Sequence, residues 1–135
     1  MQRARGMAIV TVLILSAGAG WAHEGHHEEA TEPAEENTPA EQTLTGEVVD
    51  VFCYLSHGKE GLGAGHAGCA KKCIQNGLPV AIKVGAQLYL AAMESHDPAN
   101  AKLAALAGQR VTVHGKVMEQ DGQHLISISS VEKAE

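Results

Sequence analysis

"LPVAIKVGAQLYLAAMESHDPANAKLAALAGQRVTVHGKVMEQDGQHLISISSV", Leu78 to Val131, decides the fold. Short runs rich in β-branched residues alternate here with turn signals. "LPVAIKV" and "QLYLAAM" read as two strands joined by Gly85 and Ala86, a two-residue hairpin loop. "SHDPANAKLAALAG" then carries the punctuation of a helix. Ser95 or Asp97 suits its N-cap, Pro98 its first turn and Gly108 its end, while Leu103, Leu106 and the alanines give it an apolar face. "QRVTVHGKVME" alternates through Val111, Val113 and Val117, "QDGQ" is a second hairpin turn, and "HLISISSV" is a last strand.

Upstream, "TLTGEVVDVFCYL" is rich in β-branched and aromatic residues, so Leu44 to Tyr54 predicts a long first strand. "SHGKEGLGAG" follows as a glycine-rich loop. "HAGCAKKCIQNG" predicts a short helix stopped by Asn76 and Gly77, and Pro79 forbids its continuation. The order is strand, insertion with a short helix, hairpin, helix, hairpin. Five strands with a helix between the third and fourth is the order of an OB-fold, a small partly open Greek-key barrel. The expected fold is therefore mainly β. It is a five-stranded OB-fold-like Greek-key barrel with an α-helix between strands 3 and 4 and a Cys/His loop-helix insertion between strands 1 and 2. The loop between strands 1 and 2 is a customary binding surface of that fold.

The N-terminal part of the chain of 135 residues reads differently. "MQRARGMAIVTVLILSAGAGWAHEG" begins with Arg3 and Arg5, continues with the apolar run Met7 to Leu15, and turns to small residues up to Ala22. That is the layout of a secretory signal peptide. The apolar run falls short of the roughly 20 residues a membrane span needs, so no stable membrane insertion is expected after cleavage. Cleavage after Ala22 leaves 8 Lys+Arg against 16 Asp+Glu, a net charge of −8. Such an acidic chain repels nucleic acid, whose binding depends on neutralising phosphates. "HEGHHEEATEPAEENTPAEQ", His23 to Gln42, has seven glutamates and no large apolar residue, which reads as a disordered acidic His-rich tail. The expected organisation is signal peptide 1–22, tail 23–42 and OB-fold-like domain 43–135, in a periplasmic or secreted protein. A folded unit of about 90 residues has a modest core and is often stapled by a metal or a disulfide.

All three cysteines fall within the 21 residues from Cys53 to Cys73. On a helix, His66, Cys69 and Cys73 occupy i, i+3 and i+7 and share one face. Cys53 and His57 lie upstream, and the glycines between let the loop fold back. The candidate metal-ligating set is Cys53, His57, His66, Cys69 and Cys73. Thiolate and imidazole donors suit zinc, copper(I) and iron–sulfur chemistry and suit calcium or magnesium poorly. Zinc or copper leads, with iron–sulfur, and haem on His57 or His66, left open. The competing reading is a disulfide, because exported proteins meet an oxidising compartment. Cys53–Cys73 or Cys53–Cys69 would join strand 1 to the helix, Cys69–Cys73 would lie within one helix in poor geometry, and any one bridge leaves an odd thiol.

Other motifs carry less. "GAGHAG", Gly63 to Gly68, matches G-x-G-x-x-G but lacks the acidic residue that a dinucleotide fold places about 20 residues on. "CAKKC" has three residues between its cysteines, so it is neither a C-x-x-C redox motif nor a haem-attachment C-x-x-C-H. "HEGHH" sets His23, His26 and His27 together, a second and weaker capture site for copper(II) or nickel(II). His96, His114 and His124 read as structural or solvated, and Met93 and Met118 as packing groups.

"GEVVDVFCYLSHGKEGLGAGHAGCAKKC", with "GLPVAI" after it, resembles small exported bacterial OB-fold proteins that share a pattern of the form CY..HG, then H..CA..C, then G.P. The resemblance runs from about Thr45 to Val131 and leaves out the acidic tail. It implies export and a Cys/His site at Cys53, His57, His66, Cys69 and Cys73, and it implies no particular activity. The expected function is an exported binding protein holding a transition metal or metal cofactor for storage, sensing or delivery. Its expected partners are the metal ion and a periplasmic protein. The alternative is a disulfide-stapled OB-fold interaction module with no metal. A thiol or metal redox enzyme ranks last, because no Ser-His-Asp set or paired carboxylates stand out in the folded part. One Trp, two Tyr and one Phe are too few for a stacking platform.

Overall fold

The structure is a computed structural model and describes residues 39–135. The stretch read as a signal peptide, the stretch read as a tail up to residue 38, and the histidine group His23, His26 and His27 lie outside the described residues. The chain runs β1 (Ala40–Asp50), α1 (Val51–His57), a 3₁₀ turn (Gly58–Gly61), α2 (Ala67–Gln75), β2 (Val80–Val84) and β3 (Gln87–Met93). It continues through α3 (Asn100–Leu103), a second 3₁₀ turn (Ala104–Leu106), β4 (Arg110–Gln120) and β5 (Gln123–Lys133). The strands close a barrel in the order β1-β2-β3-β5-β4, with β4 returning to β1. β3 and β5 are parallel and the other pairs antiparallel. This is the OB-fold-like barrel that the element order implies.

Both hairpins form where the turn residues place them. Val84 pairs with Gln87 across Gly85 and Ala86. Gln120 pairs with Gln123 across Asp121 and Gly122, whose φ angles of 51° and 71° are both left-handed. Two such residues make the turn whose twist matches that of the flanking strands. β4 buries Val111, Val113 and Gly115 in alternation. A Cβ on Gly115 would strike the Ser127 carbonyl, and the β4–β5 register shifts at this point, so only glycine fits the close approach. The core joins Val48, Ile82, Val111, Val113, Ile126 and Ile128 of the barrel to Ala70 and Ile74 of α2 and to Leu103, Ala104 and Ala107. The insertion helix is thus part of the core.

Three boundaries differ from the sequence reading. β1 begins at Ala40, three residues inside the stretch assigned to the tail, because β4 is long enough to pair Ala40, Glu41 and Gln42 with Val117, Lys116 and Gly115. β1 also ends at Asp50, and Val51–His57 is helix where strand was expected. The Asp50 side chain accepts the Cys53 backbone N–H at 2.7 Å, an N-cap that outweighs the strand preference of Val51, Phe52 and Tyr54. The third difference lies before β4. The cap residue of α3 is Ala99, with no side-chain cap bond, whereas Ser95 donates to Asp97 at 2.8 Å within a turn. Pro98 pairs with Ala92 across an isolated bridge, so helix cannot begin until the chain has passed it. The segment still stops at Gly108, which has φ 70° and donates its N–H to Val48 at 2.8 Å.

Candidate metal centre

The insertion between β1 and β2 is held at several points. At its start, Asp50 caps α1 and fixes the first turn, so Cys53 is placed by its own backbone N–H. In its middle, Gly63 donates its N–H to the Glu47 carboxylate at 2.5 Å, tying the glycine-rich loop back to β1. At its end, Gly77 (φ 93°) donates to Ile74 at 3.0 Å and Leu78 donates to Cys73 at 3.1 Å. That pair of bonds is the Schellman arrangement, which needs a left-handed residue after the helix. Asn100 of α3 donates to the carbonyls of Ile74 and Leu78, at 2.8 Å each, and pins the end of α2 to the next helix.

These ties bring Cys53 of α1 to Cys69 and Cys73 of α2. The three Sγ atoms all lie within 4.8 Å of one another, and Cys53 and Cys73 are 3.8 Å apart. A tetrahedral zinc site with Zn–S bonds of about 2.3 Å sets its sulfurs roughly 3.8 Å apart, whereas a disulfide closes them to about 2.05 Å. All three cysteines are free thiols. Their exposure is graded: Cys53 is buried, Cys73 intermediate and Cys69 exposed. The cluster therefore has a closed inner wall and one side open to solvent.

The histidines stand beside the sulfurs. His66 is the N-cap residue of α2, one turn ahead of Cys69. Its ring centroid is 6.3 Å from that of His57, the exposed last residue of α1. Neither histidine joins the group whose ligand atoms share the 4.8 Å limit. His66 Nε2 is nonetheless buried without a hydrogen-bond partner, and so is Asp50 Oδ2. Among the described residues these are the two side-chain nitrogen or oxygen atoms in that condition, and each belongs to the residue at the N-cap position of a helix that carries a cluster cysteine, although only Asp50 makes a side-chain cap bond. Buried polar atoms are normally satisfied, so each orphan calls for an explanation.

Two of the thiols, Cys53 and Cys73, are pushed toward their protonated form. The Asp50 side chain beside Cys53 pushes that thiol far above its ordinary range, with burial and the Cys73 and Cys69 thiols adding to the shift. Burial raises Cys73, with the Asp50 charge and Cys69 adding and its bond with Cys53 opposing. A cation entering the cluster would have to displace these protons. Chemically, the arrangement offers three soft sulfur donors facing one another and a buried imidazole nitrogen nearby.

The remaining histidines serve elsewhere. His114 Nδ1 meets Thr43 Oγ1 at 2.8 Å on the outside of the barrel, and His124 lies 3.3 Å from Glu119 and edge-on to Tyr89. Sequence reasoning missed Asp50 and Glu47. The only trace of Asp50 was an Asp three positions before Cys53, the spacing of an N-cap and its partner. No protein-family model, curated protein or solved structure matches the chain. Among the described residues no helix is long and apolar enough to cross a membrane.

Proposed function

We propose that this is an exported binding protein that holds one thiophilic transition metal and stores, senses or delivers it. Cys53, Cys69 and Cys73 are its sulfur donors. His66 supplies the fourth donor, from a buried nitrogen that has no other partner. His57 packs against the His66 ring and steadies it. The observation that carries the reading is the meeting of three thiols from two helices within 4.8 Å. Zinc and copper(I) both fit such a donor set. Export rests on the leader-like N-terminus and on the resemblance to small exported proteins. The role is binding rather than catalysis. The test is a titration of the reduced protein with cobalt(II), whose thiolate charge-transfer absorption reports sulfur ligation. Saturation at one ion per chain, abolished by any single Cys→Ser change, supports the reading. Absence of sulfur ligation refutes it.

A second reading is favoured by one distance. Cys53 and Cys73 lie 3.8 Å apart, close enough to bridge after a small movement, which would leave Cys69 as an exposed thiol on a stapled interaction module. Peptide mapping of unreduced protein separates the two, because a Cys53–Cys73 bridge removes two of the three sulfur donors.

A further inference from the structure

Asp50 is the buried charged residue of the described chain, at 0 % exposure. Burying a carboxylate is costly unless hydrogen bonds or an opposite charge compensate it. One oxygen is satisfied by the Cys53 N–H, and the other has no partner. The ion pairs among the described residues do not include Asp50. Capping does not explain the carboxylate either, since Asn or Ser caps a helix equally well without burying a charge. What remains beside Asp50 is the thiol cluster: its carboxylate accepts the backbone N–H of Cys53, whose Sγ lies 3.8 Å from that of Cys73.

We propose that Asp50 is a specificity-determining residue of the cluster, and that its buried carboxylate biases the three thiols toward divalent thiophilic cations of the zinc class over monovalent copper(I). The inference rests on the metal-binding reading above. Its basis is charge balance. Three thiolates and the carboxylate together carry one negative charge more than the sulfurs alone. A monovalent ion offsets less of that charge than a divalent one. In a partly buried site each uncompensated charge is felt strongly. Removing the Asp50 charge therefore weakens the hold on a divalent ion more than the hold on a monovalent one.

The experiment uses the full mature protein, reduced and anaerobic, with Asp50→Asn and Asp50→Ser as variants that keep a capping side chain. Zinc(II) and copper(I) affinities are measured by competition with chromophoric chelators, and circular dichroism checks that each variant is folded. The expected result is a zinc-to-copper(I) affinity ratio that falls by at least about tenfold in both variants. An unchanged ratio in a folded variant, even with both affinities lowered together, overturns the inference and reduces Asp50 to a helix cap. Wild-type protein that binds neither ion overturns the metal reading itself, and this inference with it.

Discussion

At the scale of single residues, the protonation of the thiols makes a prediction with a definite sign. Cys53 and Cys73 titrate above the ordinary thiol value of 9.0 in the fold. The folded metal-free protein therefore keeps these protons at a pH where the unfolded chain has lost them. The stability they contribute is complete below about pH 9 and is lost as the pH rises further. Thermal unfolding of the reduced, metal-free protein should give a Tm that falls between pH 8.5 and pH 10.5. A flat profile would contradict the account. Metal uptake should release protons, so apparent affinity should rise with pH through the neutral range. The cysteines should also differ from one another. Cys69→Ser should abolish metal retention while leaving the metal-free Tm almost unchanged, since Cys69 is exposed. Cys53→Ser should abolish retention and also destabilise the metal-free fold by about 1–3 kcal/mol, because it puts a hydroxyl into a buried thiol site.

At the scale of elements, α2 is both a core helix and the carrier of two of the three clustered thiols. Ile74 is fully buried and belongs to the same helix as Cys69 and Cys73. Ile74→Ala should cost about 2–5 kcal/mol in denaturant unfolding. Asn100 offers a finer probe, since its amide satisfies the Ile74 and Leu78 carbonyls where α2 ends. Asn100→Ala should cost about 1–3 kcal/mol and loosen the Cys73 end of the helix. Metal affinity should fall with it although Asn100 is no ligand. Equal affinity in that variant would show that α2 does not need this tie to present its sulfurs.

At the same scale one can see what the sequence could tell. The hairpins were legible because two-residue turns and alternating valines are local signals, and Gly85, Asp121 and Gly122 specify them directly. The end of α2 was legible for the same reason, in Asn76 and Gly77. Val51–His57 was not, because its composition favours strand and only the Asp50 cap reverses that preference. The start of β1 was hidden because pairing with β4, rather than composition, decides it. The sulfur spacing at Cys69 and Cys73 was legible, and so was the return of Cys53 toward them through the glycine-rich loop; the way that return is held was not. It depends on a long-range tie, Glu47 to the Gly63 N–H, that no local pattern announces. His66 was read as sharing the cysteine face. It stands at the N-cap position of α2, three residues before Cys69, and its ring nitrogens lie outside the 4.8 Å sulfur group.

At the scale of the whole molecule, the barrel is a frame that presents one insertion. Phe52 and Leu55, the exposed large apolar residues of the described chain, both sit on α1, the helix that delivers Cys53. Metal should stabilise the entire domain, because α2 is continuous with the core and a ligand that binds only the folded state raises its stability by mass action. A chelator should lower the Tm of the loaded protein, and re-adding metal should restore it.

The central claim is most directly tested by measuring metal content and free thiols on one sample, purified without chelators or a histidine tag. The account predicts about one thiophilic metal per chain, with thiols that become titratable only after the metal is stripped. Protein without metal, with a single titratable thiol and the other two joined in a disulfide, would contradict it.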